Sequence, residues 1–186
     1  MEEILHQFSN DNFYIPNWRI KHLFIGTFNP KGGEKVNYFY GRDKNQTWKL
    51  LSEIFKEHIN PNNDDFFNLL EKHGIACMDL IHSVEFEISI KESITGEGYS
   101  DTNIINNSVK RIYNTLNILN TIENNQGVQI YSTWGKGKDN KNWVFEVNKI
   151  PNLINLVSPS LAARVDKRVE KYPYMFNDWN SKIDTN

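Results

Sequence analysis

The stretch Leu23-Phe24-Ile25-Gly26-Thr27-Phe28-Asn29-Pro30 decides the fold, because an apolar run ends there in Gly-x-x-Asn-Pro. A short apolar run that is closed by glycine and proline is typical of a buried strand and its following loop. Open α/β sheets hold their active sites beyond the carboxyl ends of the strands, where the amide of Asn29 would lie. A second apolar run, residues 153–157, leads into Ser158-Pro159-Ser160-Leu161-Ala162-Ala163-Arg164, here called the final loop. The two loops are far apart in the sequence, and they could face one cleft.

Strands and helices are predicted to alternate along the chain. Four short apolar runs indicate buried strands, at residues 22–28, 75–81, 128–133 and 153–157. Helical spacing of apolar residues predicts helices over residues 45–58, 64–72 and 101–119, with 141–149 and 166–182 as further candidates. Asp64 or an adjacent residue is expected to cap the second helix, and Pro173 to start or kink the last one.

This alternation indicates a mostly parallel sheet that is covered on both faces. We therefore predict an α/β fold, a three-layer α/β/α sandwich with a central four-stranded, mostly parallel sheet. Residues 83–100 are polar and contain glycine, so we expect a long loop at the rim of the strand ends. With 186 residues, 39% of them hydrophobic, the chain is expected to form one domain over residues 1–186.

Charge and cysteine content exclude several classes of protein. The formal net charge is -2, so the chain is not generally basic and nucleic-acid binding must use a local face. Cys77 is the only cysteine, which excludes a disulfide framework and a cysteine-rich zinc or iron–sulfur site. No window approaches the ~18 apolar residues of a membrane span. We therefore expect a soluble protein in the reducing cytoplasm.

Several common ligand motifs do not fit the sequence. Residues 26–33 contain glycines and a lysine, but no Gly-Lys-Ser/Thr opens a helix, which excludes a phosphate-binding P-loop. Residues 60–71 have calcium-loop spacing, yet Asp65 stands where the sharp turn needs glycine. The five histidines show no metal-ligand spacing, and Ser160 lacks the glycine frame of a nucleophile elbow. We expect neither a metal ion nor a cofactor.

Four aromatic residues lie in the segment that follows the Asn29 loop, Tyr38-Phe39-Tyr40-Gly41-Arg42-Asp43-Lys44-Asn45-Gln46-Thr47-Trp48, here called the aromatic segment. Core packing explains Trp48, which falls in a predicted helix, whereas the other three precede that helix in a loop. An aromatic ring in a loop can stack on a nucleobase, which contributes about 1–3 kcal/mol per base, while Arg42 and Lys44 reach phosphates. Each ring taken alone could also be explained by packing in the apolar core. Its position beside Gly-x-x-Asn-Pro, however, favours contact with a ligand.

In this order and spacing, the motifs resemble the uracil-DNA glycosylase superfamily, particularly its mismatch-specific uracil/thymine and hypoxanthine-DNA glycosylase branches. The similarity covers about residues 20–165. It includes Gly26-Thr27-Phe28-Asn29-Pro30, Tyr40-Gly41-Arg42-x-x-Asn45-x-x-Trp48 and the final loop. Gly74-Ile75 to Asp79-Leu80 and Tyr99-Ser100-Asp101 also resemble the hypoxanthine branch.

The resemblance implies a monofunctional, monomeric DNA-repair glycosylase whose partner is DNA with a deaminated or mismatched base. Such enzymes flip a base into a pocket and hydrolyse its N-glycosidic bond with water, without metal or cofactor. Asn29 would position the water and stabilise the charge that develops on the sugar. Tyr40 would stack on the flipped base, and Phe28 would form the pocket floor.

The resemblance also implies contacts to the base and to the DNA backbone. The implied substrate-binding residues are Gly26, Thr27, Phe28, Pro30, Tyr40 and Ser158. Backbone amides around Ser158 and Ser160 would bind the flanking phosphates. Leu161 would enter the vacated stack, Arg164 would hold the DNA backbone or the opposite strand, and Arg42 would also contact DNA.

Two departures from the family pattern leave alternatives open. Ser158 stands where the family's final loop usually starts with His or Asn, so weak activity on plain uracil is expected. The hypoxanthine branch usually lacks the first asparagine and relies on one in the aromatic segment, here Asn45. Asn29 and Asn45 are therefore both candidate catalytic amides, with Asn29 favoured. Asn45 alternatively serves only as a helix N-cap.

Two other functions also remain open. A catalytically weak or inactive member of the fold would bind nucleic acid or a nucleotide, with DNA affinity that falls steeply as salt rises. A small-molecule hydrolase or binding protein that uses the same cleft would have no measurable affinity for DNA.

Overall fold

The structure, a computed structural model, describes residues 1–9, 16–32, 36–95, 100–134, 143–162, 166 and 168–185, with the backbone alone at 101, 102 and 105. The strands in chain order are β1 (Glu2–Leu5), β2 (His22–Gly26), β3 (Ile75–Asp79), β4 (Ile81–Phe86), β5 (Ser108–Tyr113), β6 (Gln129–Ser132) and β7 (Ile154–Asn155). The helices are α1 (Thr47–Phe55), α2 (Phe66–His73), α3 (Lys91–Thr95), α4 (Asp101–Asn107), α5 (Thr115–Asn124), α6 (Val144–Val147) and α7 (Lys171–Asn180), and a 3₁₀ turn covers Ile88–Ile90.

A four-stranded parallel sheet, in the order β3-β2-β6-β7, forms the centre of the fold. All five residues of β2 are buried, as expected for a parallel strand that is covered on both faces. Successive side chains of a strand point to opposite faces. Accordingly, Leu23 and Ile25 belong to one apolar core and Phe24 to another. The predicted four-stranded parallel sheet is confirmed.

Helices contribute to the cores on both faces of this sheet. On the face of Phe24, α1, α2 and α7 supply buried residues, and the Trp179 ring stacks on Phe24 with 5.8 Å between centroids. On the opposite face, Ile104 of α4 and Ile118 of α5 pack in the core that contains Leu23. The predicted packing of helices on both faces is therefore present.

A second sheet, which the sequence analysis does not predict, also covers the face of Leu23. It is antiparallel, in the order β1-β4-β5, and Val84 and Phe86 of β4 share the core of Leu23. The predicted long loop over residues 83–100 is therefore wrong, because β4, the 3₁₀ turn and α3 occupy most of it. Residues 96–99, which include Tyr99 of the resemblance, lie outside the described residues.

The single helix predicted over residues 101–119 is also wrong. The chain forms α4, continues into β5 and begins α5 at Thr115. Val109 and Leu116, which the helical pattern would place toward the core, are 58% and 70% exposed. The cause is pairing with β4, where the Lys110 Nζ also lies 3.2 Å from Glu85 Oε1. Long-range pairing has overridden a local helical pattern.

The remaining helices are shorter than predicted. Asp65 occupies the N-cap position of α2, but its side chain forms no capping hydrogen bond. In the predicted helix 141–149, α6 covers four residues, and 141 and 142 lie outside the described residues. Pro173 lies in the first turn of α7, as expected for a proline at a helix start. Within the described part of the chain, no helix is long and apolar enough to cross a membrane.

The first residue of β2, His22, makes the stability of the fold dependent on pH. It is buried between the rings of Phe55 and Tyr131, at centroid distances of 5.4 and 6.1 Å. Burial, and then the charge of Lys21, lower the pKa of His22 to about 4. The unfolded chain therefore takes up a proton near pH 6.5, where the folded chain does not. This contribution to stability is complete above pH 6.5 and is lost as the pH falls toward 4.

We expect the free energy of unfolding to be about 2 kcal/mol lower at pH 5 than at pH 8 because of His22. Urea unfolding at both pH values measures the difference. His22→Gln should remove most of it, whereas His58→Gln, at an exposed histidine, should leave it unchanged. If His22→Gln kept the pH dependence of the unchanged protein, His22 would not be the source of that dependence.

Candidate functional site

A cleft of about 590 Å³ opens at the carboxyl ends of the parallel strands. The loop after β2, the aromatic segment and the final loop form most of its wall, and Asp79, Ser100, Thr133 and Trp134 complete the lining. This is the edge where open α/β sheets place their ligands. The structure therefore brings together the loops that the sequence analysis expected to meet.

Most of the predicted site residues line this cleft. They are Gly26, Thr27, Phe28, Asn29, Tyr40, Arg42, Asn45, Ser158 and Ser160. Pro30 is buried and pairs with His6 in an isolated bridge, outside the lining. Leu161 is 39% exposed and lies between two lining residues of the final loop. Arg164 lies outside the described residues.

Backbone hydrogen bonds join the aromatic segment to the final loop. The Gln46 N–H donates to the Pro159 carbonyl at 2.9 Å, and the Leu161 N–H donates to the Lys44 carbonyl at 2.8 Å. Asn45 and Ser160 thus form a short antiparallel bridge. Two loops from distant parts of the sequence are held as one wall of the cleft.

The two candidate asparagines differ in what their amides already bind. The Asn45 Oδ1 accepts a hydrogen bond of 2.9 Å from the backbone N–H of Thr47, the first residue of α1. The N-cap position of α1 belongs to Gln46, so Asn45 is not the helix N-cap, and its bond to Thr47 closes a local turn just before the helix. The half-buried side chain of Asn29 forms no hydrogen bond to any residue that the structure describes, although its carbonyl accepts from the Gln7 N–H. Its amide is available to a ligand in the cleft.

Tyr40 has a left-handed backbone conformation, with φ +59°. A bulky residue rarely adopts this conformation, which costs of order 1–3 kcal/mol, and such residues cluster at functional sites. Its ring meets Trp48 edge to face at 6.4 Å, and its hydroxyl lies 3.3 Å from Thr133 Oγ1. Burial, followed by the influence of Cys77 and Asp79, raises the pKa of Tyr40 well above its usual value. Tyr40 is therefore a neutral phenol at the cleft wall.

Phe39 and Trp48 belong to the apolar core rather than to the cleft. They are buried, and the Trp48 indole N–H donates to the Phe39 carbonyl at 2.8 Å. The core-packing alternative thus holds for these two rings. Tyr40, by contrast, packs against this core and also lines the cleft. The cations of the aromatic segment, Arg42 and Lys44, line the cleft together with the exposed carboxylate of Asp43.

The sequence analysis missed Asp79, Thr133 and Trp134 as site residues. Asp79 is the last residue of β3, and the other two follow β6 directly. β3 and β6 are the two neighbours of β2, so polar residues at their carboxyl ends carried a usable signal. Asp79 is 3% exposed, and its Oδ2 lies 2.7 Å from the Nε2 of the buried His6. Among the described residues, no three His, Cys, Asp or Glu side chains group where they could hold a metal ion.

Comparison with known proteins identifies a similar fold. The solution NMR structure of a protein from Methanosarcina acetivorans, provisionally described as a uracil DNA glycosylase, matches with a TM-score of 0.56. The match covers 88% of each chain, at 15% sequence identity. The two chains share a fold. No family model and no curated protein matches the chain.

Proposed function

We propose that this protein is a DNA glycosylase that hydrolyses the N-glycosidic bond of a flipped deaminated base, uracil or hypoxanthine. One observation carries the proposal. The amide of Asn29, which binds no described residue, lies at the carboxyl end of β2 in a cleft walled by Tyr40 and two bridged loops. The fold shared with the Methanosarcina acetivorans protein supports it.

The cleft has the size and lining that a flipped nucleotide needs. Sites for small ligands usually enclose ~300–1,000 Å³ and combine aromatic walls with a few polar groups. In this proposal the Tyr40 ring stacks on the extruded base, and Phe28, which is 2% exposed, closes the pocket floor. Arg42 contacts a phosphate at the cleft mouth. Extrusion costs a few kcal/mol, which stacking and phosphate contacts offset.

Asn29 performs the chemical role in this mechanism. Its amide oxygen accepts a hydrogen bond from one water molecule and aims the water oxygen at C1′ of the sugar. As the bond from C1′ to the base nitrogen breaks, the bonding electrons leave with the base and positive charge develops on the sugar. The fixed amide dipole stabilises that charge. The water oxygen bonds to C1′ and loses a proton to the solvent, which yields an abasic site, while the departed base takes up a proton from the solvent.

The final loop holds the DNA around the extruded nucleotide. Backbone N–H groups near Ser158 and Ser160 bind the flanking phosphates, the exposed Leu161 fills the vacated stack, and Arg164 holds the backbone or the opposite strand. The Ser160 N–H lies 3.5 Å from the Ser158 Oγ. A serine hydroxyl stabilises a departing uracil anion less than the imidazole or amide it replaces, so release of uracil is expected to be slow.

Base release from labelled oligonucleotides tests the proposal. Single- and double-stranded substrates would carry one uracil, hypoxanthine or G·T mismatch, and strands with cytosine or adenine there are matched controls. With the protein in excess, alkali is expected to cleave a deaminated substrate and leave the controls intact. Intact strands throughout, with salt-dependent binding, would instead indicate a protein that binds nucleic acid without catalysis. No binding at all would favour a small-molecule ligand.

A further inference from the structure

The N-terminal segment of the chain pairs with the loop that carries Asn29. The Gln7 N–H donates to the Asn29 carbonyl at 2.7 Å, and the Lys31 N–H donates to the Leu5 carbonyl at 2.9 Å. Residues 5–7, here called the clamp, thus hold the backbone of this loop at two points, one of which is Asn29 itself. The reaction described above uses the Asn29 side chain and gives the clamp no role.

His6, the central residue of the clamp, is fixed by its own side chain. Between the two hydrogen bonds it forms an antiparallel bridge with Pro30. Facing residues of this kind of pair exchange no hydrogen bonds, so the missing N–H of Pro30 leaves the clamp intact. The Phe8 N–H donates to the His6 Nδ1 at 3.1 Å, so the ring proton is on Nε2 and donates to Asp79 Oδ2 at 2.7 Å. Because both side chains are buried, the clamp is anchored in the core.

The second sheet also anchors the clamp. β1 pairs with β4 in the register Leu5 to Ser83, and the His6 N–H donates to the His82 carbonyl at 2.8 Å. Leu5, whose carbonyl accepts from Lys31, is the last residue of β1. The loop after β2 is therefore joined to a sheet of three strands.

The side chain of Gln7 connects the clamp to a second part of the cleft wall. Its Nε2 donates to the carbonyl of Val36, a buried core residue two positions before the aromatic segment begins. Gln7 thus binds the Asn29 loop through its backbone and the start of the aromatic segment through its side chain. The two bonds can be removed separately, because only the backbone bond depends on an N–H at position 7.

We propose that Gln7 is a positioning residue for the reaction, because its backbone N–H fixes the Asn29 carbonyl and with it the direction in which the Asn29 amide holds the water. The inference rests on the proposed function. The Asn29 side chain forms no hydrogen bond to any residue that the structure describes, so its direction depends on its backbone. A displacement of about 1 Å, even one caused far from the reacting atoms, can slow a reaction about 100-fold. The second sheet thus serves the reaction as well as the stability of the fold.

Gln7→Pro tests this role, with Gln7→Ala as its matched control. Both variants lose the side-chain bond to Val36, but only proline also removes the N–H that Asn29 accepts. In single-turnover assays, Gln7→Pro is expected to release base about 10- to 100-fold more slowly than Gln7→Ala. Fluorescence anisotropy with a strand that carries a stable abasic analogue should give both variants the same dissociation constant. Equal losses of rate and affinity would indicate a merely structural role.

A double-mutant comparison shows whether Gln7 acts through Asn29. In an Asn29→Ala background there is no amide to position, so Gln7→Pro should slow the residual release no further than Gln7→Ala does. A general disturbance of the cleft would instead slow release by the same factor in both backgrounds. The second result would overturn the positioning role.

The other bond of the clamp provides a test that needs neither substrate nor a folded Gln7→Pro. Lys31→Pro removes the N–H that donates to Leu5, and Lys31→Ala is its control, because that side chain is exposed. The same slowing of base release is expected for Lys31→Pro. Hydrogen exchange of the Lys31 N–H should also be faster in Gln7→Pro than in Gln7→Ala, since the two bonds hold one segment.

The outcomes separate this inference from the proposed function. If the unchanged protein releases base and the proline and alanine variants do so at equal rates, the positioning role is wrong and the glycosylase remains. If the unchanged protein releases no base, the proposed function fails, and the role in catalysis fails with it. The exchange of the Lys31 N–H then still decides whether the clamp holds the loop.

Discussion

Replacing Asn29 with alanine is expected to slow base release by about 100- to 1,000-fold, the usual effect of removing one preorganised polar group from a reaction centre. The amide is the group proposed to aim the water and stabilise the charge on the sugar. Binding of the substrate should change little, because stacking on Tyr40 and the phosphate contacts remain. The loss should therefore appear in the rate of the chemical step rather than in affinity.

Single-turnover measurements with the protein in excess separate these quantities. Asn62→Ala, at an exposed asparagine, is the matched control and should release base at the original rate. Asn45→Ala should mainly lower the free energy of unfolding, by about 1 kcal/mol, because the Thr47 N–H loses its hydrogen bond to the Asn45 Oδ1. If Asn45→Ala abolished release while Asn29→Ala remained active, the catalytic amide would be the one in the aromatic segment.

Most of the central sheet was predictable because β2, β3 and nearly all of β6 are buried. Such strands appear in the sequence as short, continuous apolar runs. The runs around Leu23 and Ile130 are of this kind and show no helical spacing of apolar residues. The region from β4 to α5 was not predictable in the same way. Val109 and Leu116 have helical spacing, but Val109 lies in β5, which pairs with β4, and Leu116 lies in the separate helix α5. A local pattern contains no information about a partner strand that is distant in the sequence.

The cleft was partly predictable for a related reason. Asn29 follows β2, and Ser158 follows β7 closely, so the ends of two parallel strands placed both loops at one edge. The contact between His6 and Asp79 could not be predicted, because it joins residues 73 positions apart. It depends on β1 pairing with β4, which brings the N-terminal strand beneath the cleft.

The close contact of Asp79 with Gly26 leads to the second large effect. Gly26→Ala places a methyl group against Asp79 Oδ1 and close to the Tyr40 hydroxyl. Neither the strand nor the carboxylate can move away easily, because β2 is paired on both sides and His6 holds Oδ2. Overpacking of this kind typically costs about 1–3 kcal/mol of stability.

A double-mutant cycle measures this contact directly. Urea unfolding of the unchanged protein, Gly26→Ala, Asp79→Ala and the double variant gives the cost of the added methyl group in both backgrounds. Asp79→Ala alone should be destabilising, because it leaves the His6 Nε2–H without its acceptor. In that background, however, the carboxylate is gone and the added methyl group has room. The cost of Gly26→Ala should therefore fall by at least about 1 kcal/mol when Asp79 is absent. An equal cost in both backgrounds would mean that the two residues do not compete for the same space, and it would remove the steric reason for glycine at the end of β2.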